Sequence, residues 1–398
     1  MLNKLSFNKF SLHKLSLPFK LFLVLIFVAV FGNLMPEITI NFFYTISLLF
    51  KECLGFLLPF IVFAFITSGI LSFKKNAPMV LGILLSSVLL SNSIVAFLSY
   101  FIGKALLPLL AVKIDPTSLI AAESMTPLYL IKLPVLFGAF HAMLAAVICG
   151  ITLSFYSIPP LENGIRFLKN LIEMIVNSLF IPILPLYVLG FLLEINHQGV
   201  FMQLFQTYGR TFALIIVLQI IIIFLAYFIA AQCNLKKALQ YIHVAMPSYL
   251  TAFGTMSSTA TIPVTVQCAE QNTGNHALSA MATPILANIH LLGDAISTPI
   301  LALVTIFIFQ GILPDPAVYS IFVIYFCINM LAVAGIPGGG IIVMIPILKM
   351  ILGFDDMMIS IITTLYFLQD GLGTAGNVMG DGALMIIINK ILKRLKIN

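Results

Sequence analysis

Residues Gly254-Thr255-Met256-Ser257-Ser258-Thr259-Ala260-Thr261 form a polar, uncharged tip between two apolar arms, Met246–Phe253 and Ile262–Val266. The same shape recurs at Ala334-Gly335-Ile336-Pro337-Gly338-Gly339-Gly340, between Ile321–Val333 and Ile341–Leu352. No arm reaches the roughly 20 residues that a helix needs to cross about 30 Å of hydrocarbon. Non-helical backbone at membrane depth persists only where protein or a water-filled cavity satisfies its polar groups. Both stretches are therefore expected to be re-entrant helical hairpins. Two ordinary loops between ordinary helices would suit charged tips, and these tips carry no charge. Each hairpin is followed by a full-length helix with polar residues in its interior, Ala277–Phe309 and Met357–Leu392. Hairpin-then-helix, repeated, is the pattern of a transporter core built from an inverted repeat.

Composition fixes the solvent around these segments. Of 398 residues, 61% are hydrophobic and 9% charged, and the mean hydropathy is +1.13. Soluble domains are about 45–50% apolar and about 25% charged, and one soluble core cannot hide so much apolar surface. The chain is expected to be an all-α polytopic membrane protein with about eight transmembrane helices plus the two hairpins. A nucleic-acid binder would need a soluble fold and basic patches with interleaved aromatics, and neither is present. The stretch Leu21–Leu34 lacks a small-residue cleavage site and precedes many more apolar segments, so it reads as a span and not a signal peptide. Cys53, Cys149, Cys233, Cys268 and Cys327 are scattered, with no metal-ligand spacing, and read as apolar filler.

Six segments precede the hairpins: Phe19–Leu34, Asn41–Phe73, Pro78–Leu110, Leu133–Ser157, Phe167–Glu194 and Phe201–Gln232. Charge orients them. Lys4, Lys9, Lys14 and Lys20 precede the first segment, and Lys390, Lys393, Arg394 and Lys396 close the last. The positive-inside rule puts both ends in the cytoplasm, with an even number of complete crossings. Basic loops at Lys74–Lys75, Glu162–Lys169 and Lys236–Lys237 alternate with loops holding Glu37, Asp115 with Glu123, and Glu194 with His197. Lys113 and Lys132 run against the rule, inside the longest and most acidic outer loop. Residues 1–235 are read as helices 1–6, scaffold and trimerisation helices plus part of the transport domain, and 236–398 as the transport core.

The chemistry is concentrated in a polar stripe. Asp370, Thr374, Asn377 and Asp381 fall at i, i+4, i+7 and i+11, which puts them within about 40° of each other on one helix face. A carboxylate at mid-membrane by default marks a substrate or ion path. Pairing with a basic residue is the bland reading, but Lys349 and Arg210 are the nearest candidates and both look terminal. An oxygen cage for a small cation, with a partner for a substrate ammonium, explains the stripe better. A second cluster is His290-Leu291-Leu292-Gly293-Asp294, followed by Ser297 and Thr298. His290 and Asp294 fall at i, i+4 and can touch, and such a pair could titrate.

Three motifs, in order, carry a resemblance: Ser257-Ser258-Thr259-Ala260-Thr261-Ile262-Pro263, the glycine-rich tip 334–340, and Asp370 through Thr374, Asn377 and Gly380-Asp381. They resemble the dicarboxylate/amino acid:cation symporters, the glutamate and neutral amino acid transporter family. The resemblance covers Pro247–Lys390 in detail and the first half in topology. It implies a homotrimer in a cell (inner) membrane, with a mobile core that carries solute by an elevator-type motion. It implies that Ser257, Ser258, Thr259 and Asn377 take the substrate α-carboxylate and Asp370 the α-ammonium. Gly338 belongs to the tip that closes the site. Asn377 and Asp381 would ligate one Na⁺, and Ser86 and Ser87 match positions that help hold another. Beyond the coupling ion, Na⁺ or H⁺, no cofactor is implied.

The sequence departs from that family at three places. Members that carry acidic substrates have an arginine where this chain has Gly373, and Met256 stands where prokaryotic members often have an alternative one. The Asn-Met-Asp-Gly-Thr signature reads His290-Leu291-Leu292-Gly293-Asp294, without its sodium-binding asparagine and aspartate. With Asp294 near Gly373, the expected solute is a small neutral amino acid, with a cationic one as the second choice. An acidic amino acid or C4-dicarboxylate symporter and an amino acid exchanger are the alternatives. His290 becomes the candidate carrier of a coupled proton. An aspartyl protease is excluded, because Asp370 and Asp381 lie about 16 Å apart along one helix and a dyad must share a proton at about 3 Å. A channel would want a pore lined by several polar helices, and the polarity here is confined to two hairpin–helix units.

Overall fold

The computed structural model describes residues 16–72, 78–110, 125–134, 138–199, 201–331, 333, 335 and 337–395. Lys4, Lys9, Lys14, Lys74, Lys75, Lys113, Asp115, Glu123 and Lys396, on which much of the charge topology rests, lie outside the described residues. So do Ala334 and Ile336 of the second tip.

Every regular element among the described residues is helical. The first half contains α1 (Leu17–Phe31), α2 (Glu37–Ser72), α3 (Pro78–Leu110), α4 (Ala139–Phe155), α5 (Pro159–Ile175), α6 (Ile181–His197) and α7 (Phe201–Ala230). The second half contains α8 (Leu235–Thr255), α9 (Ser258–Thr273), α10 (His276–Ile289), α11 (Leu292–Gln310), α12 (Pro316–Met330), α13 (Gly339–Leu352) and α14 (Asp356–Arg394). Among the described residues, 7 helical stretches are long and apolar enough to cross a membrane. The segment read as Leu133–Ser157 is a shorter helix of 17 residues.

Local chemistry explains the joints. Helices α5 and α6 continue one another through a π turn at Val176–Phe180. Pro182 follows it, and its ring would collide with the Ser178 carbonyl in a regular α-helix. Between α8 and α9 the chain reverses at Met256, whose φ is +53. Ser257 then caps α9 by accepting the Ala260 N–H at 3.2 Å. Within residues 125–134, the Met125 and Leu133 N–H groups donate to Glu194 and Glu52, each at 3.2 Å. These two acids in apolar helices therefore serve a neighbouring backbone.

Packing divides by polarity. Helix α2 packs along α4 and α6, while α3 packs along α11 and α12. Helices α11 and α14 pack together at the centre and are buried along nearly their whole length. Their polar residues are tolerated because protein, not lipid, surrounds them. Close approach depends on glycine: a β-carbon on Gly293 would stand 2.1 Å from the Gly373 carbonyl oxygen. Small residues at such crossings let backbones meet.

The sequence reading of 277–309 as one continuous helix is corrected. It breaks at His290 and Leu291, whose ψ values are 92 and 65. Neighbours supply what the break leaves open. Asn92 Nδ2 donates to the Ile289 carbonyl at 3.1 Å, and Asn377 Oδ1 accepts the Asp294 N–H at 3.1 Å. Both are partners for helix-end groups that would otherwise be orphaned.

Candidate functional site

The break gathers the polar residues into three adjoining clusters along α14. At the first, Asp370 Oδ2 accepts the Gly338 N–H at 2.8 Å, and Thr374 Oγ1 donates to Asp370 Oδ1 at 3.3 Å. Gly338 has φ +73, and a β-carbon there would meet the Phe367 ring at 2.0 Å. Only glycine lets this backbone N–H reach the carboxylate.

The second cluster centres on Asp294, in the first turn of α11. Tyr366 Oη donates to Asp294 Oδ1 at 2.8 Å, and Asn377 Nδ2 donates to Oδ2 at 3.0 Å. Gly373 lies against it, since a β-carbon at Gly373 would be 3.1 Å from Asp294 Oδ1. The expected contact between His290 and Asp294 is absent, because the break turns the two side chains apart.

His290 instead forms the third cluster. Its Nδ1 is 3.0 Å from Asp381 Oδ1, and its Nε2 is 3.0 Å from Ser91 Oγ. The two residues expected to share one sodium are thus engaged separately, Asn377 with Asp294 and Asp381 with His290. Asp381 Oδ2 has no partner. Ser86 and Ser87 are not at this point: Ser86 is exposed and Ser87 half-buried. On α3 the residues that reach it are Ser91 and Asn92, about one turn further on.

The two tips meet each other. Ser257 Oγ donates to the Gly335 carbonyl at 2.6 Å, and the Thr259 N–H donates to the same oxygen at 3.2 Å. Asn288 Oδ1 accepts the Gly335 N–H at 3.2 Å. Ser258 is buried beside them. Lys349 pairs with Asp356 at 2.5 Å, and Arg210 donates to the Leu110 carbonyl at 3.4 Å, so neither serves the stripe.

Sequence reasoning missed Ser91, Asn92, Tyr366 and Gln369. The run Ser91-Asn92-Ser93, polar in the middle of an apolar segment, was the available signal for the first two.

The sequence has known relatives. The model of the sodium:dicarboxylate symporter family matches residues 17–391. The chain belongs to the sodium:dicarboxylate symporter family. Excitatory amino acid transporter 1 of Rattus norvegicus is 31% identical over 197 residues, 48% of this chain and 35% of that protein. Excitatory amino acid transporter 3 of Bos taurus is 27% identical over 219 residues, 54% and 40% of the two chains. Excitatory amino acid transporter 2 of Homo sapiens is 29% identical over 160 residues, 39% and 27%. The matches thus span well under half the length of these relatives. Family and relatives alike are transporters and not enzymes.

Proposed function

We propose that this protein is a secondary active transporter that carries a small α-amino acid, with a side chain bearing no negative charge, in symport with Na⁺, H⁺ or both. The observation that carries the reading is Asp294 Oδ1 set against Gly373. At that point a second carboxylate on the solute would meet like charge in a dry site, at a cost of several kcal/mol.

In this reading the α-ammonium goes to Asp370, and the α-carboxylate goes to Ser257, Ser258, Thr259 and the Asn377 amide. The tip at Gly338 closes over them, and its N–H on Asp370 supports that assignment. Thr374 orients Asp370. Asp381 supplies the carboxylate for the coupling cation, with His290 as the candidate for carrying a proton. Eight membrane-crossing helices and two re-entrant hairpins compose the fold, and 236–398 form the core that moves against a scaffold within 1–235. The protein works as a homotrimer in the cell membrane, with its ends on the cytoplasmic side.

Flux into proteoliposomes tests this. Preloaded amino acid should drive counterflow of labelled solute, an inward Na⁺ or H⁺ gradient should drive accumulation, and glutamate should compete poorly. Tightest competition by glutamate, aspartate or C4-dicarboxylates would refute the solute class. Passive equilibration without counterflow would refute a carrier.

A further inference from the structure

An α-amino acid brings one carboxylate and one ammonium to this site. Asp370 suits the ammonium, so Asp294 is a second buried acid, 3% exposed. Its side-chain donors, Tyr366 and Asn377, are neutral. Among the described residues no lysine, arginine or histidine forms an ion pair with it.

Another acceptor faces the same point. Gln369, 2% exposed, gives its Nε2 to Ser297 Oγ at 3.1 Å and leaves Oε1 without a partner. Gly373 marks where the two acceptors converge. A β-carbon there would stand 3.1 Å from Asp294 Oδ1, and 3.6 and 3.7 Å from Gln369 Nε2 and Oε1, of which Nε2 is already given to Ser297. One on Gly340 would stand 2.2 Å from Tyr366 Oη and 3.2 Å from Asp294 Oδ2. Glycine at 373 therefore puts no side chain of its own against the carboxylate, while the Tyr366 hydroxyl occupies the flank at Gly340.

A buried carboxylate facing only neutral donors is costly, and an amide oxygen without a donor adds to that cost. A group with a positive charge and three N–H donors answers both. We propose that the buried acceptor pair at Gly373 recognises the side-chain ammonium of a cationic α-amino acid, received by Asp294 and Gln369 while Asp370 receives the α-ammonium. Asp370 and Gly373 are three residues apart on α14, about 4.5 Å of rise, so the two ammonium groups are joined by a short chain, as in diaminobutyrate or ornithine. The proposal rests on the amino acid reading of the site.

Equilibrium binding to the purified full chain in lipid nanodiscs tests it, with each cation paired against its neutral isostere. The pairs are L-ornithine with L-norleucine and L-2,4-diaminobutyrate with L-norvaline. The cation of at least one pair should bind about tenfold tighter or more, as expected for a charged hydrogen bond. Asp294→Asn should collapse that ratio, and Asp294→Glu should keep its sign. Equal affinities within both pairs in the wild type, or an undiminished ratio in Asp294→Asn, would overturn the proposal. If Asp294→Asn does not fold, the wild-type ratios alone decide. Neutral amino acids binding as well as cations would defeat this proposal and leave the amino acid reading standing. Absence of binding by every α-amino acid would defeat both.

Discussion

His290 and Asp381 face each other across the break between α10 and α11, Nδ1 to Oδ1 at 3.0 Å, each side chain 1% exposed. They are 91 residues apart in sequence. Removing one member of such a pair strands the other in a medium that cannot solvate it. His290→Ala should destabilise the protein by about 3–5 kcal/mol, and His290→Gln, which keeps a donor, by less. Thermal unfolding can be followed by a maleimide dye reacting with buried Cys268 and Cys327, since the chain has no tryptophan. An unchanged melting curve in His290→Ala would remove the pair from the account of stability.

Asp370→Asn should weaken solute binding by roughly ten- to a hundredfold, the loss of a charge-assisted contact worth about 1.5–3 kcal/mol. Cys53 and Cys149 lie away from the polar clusters, and their replacement by alanine should leave uptake unchanged. Undiminished uptake by Asp370→Asn would remove Asp370 from the substrate site.

The crossing of α11 and α14 gives a packing prediction. Gly293→Ala places a methyl group 2.1 Å from a backbone oxygen that cannot swing away, and should cost about 1–3 kcal/mol or more. Gly254 meets nothing within 4 Å and sits inside α8, so Gly254→Ala should be neutral or slightly stabilising. Melting both variants side by side checks this, and equal melting temperatures would contradict it.

Position along α3 is separable by a third comparison. Ser91→Ala removes a hydrogen bond to His290 Nε2 and should cost about 1 kcal/mol. Ser86 is exposed, and Ser86→Ala should stay within about 0.5 kcal/mol of wild type. A reversed order would return the earlier pair of serines to the site.

Periodicity and composition determined a large part of this protein. Pro78–Leu110 is a helix over the residues read from its apolar run. Asp370, Thr374, Asn377 and Asp381 share one continuous helix, because helical spacing alone assigns residues to a face. Family membership was likewise legible in the tips and the stripe, where local order carries the signal.

Tertiary structure decided the partners. Pro284 and Asn288 are polar breaks in the backbone pattern of 277–309, but neither places the break at His290, because Asn92 and Asn377, which satisfy its exposed backbone groups, come from other helices. With the helix broken, the i, i+4 neighbour Asp294 turns to Tyr366 and Asn377, and His290 turns to Asp381 and Ser91. Sequence spacing says which face a side chain occupies. What it touches depends on which other helix is packed there, and buried polar groups take whichever partner that packing brings within hydrogen-bond distance.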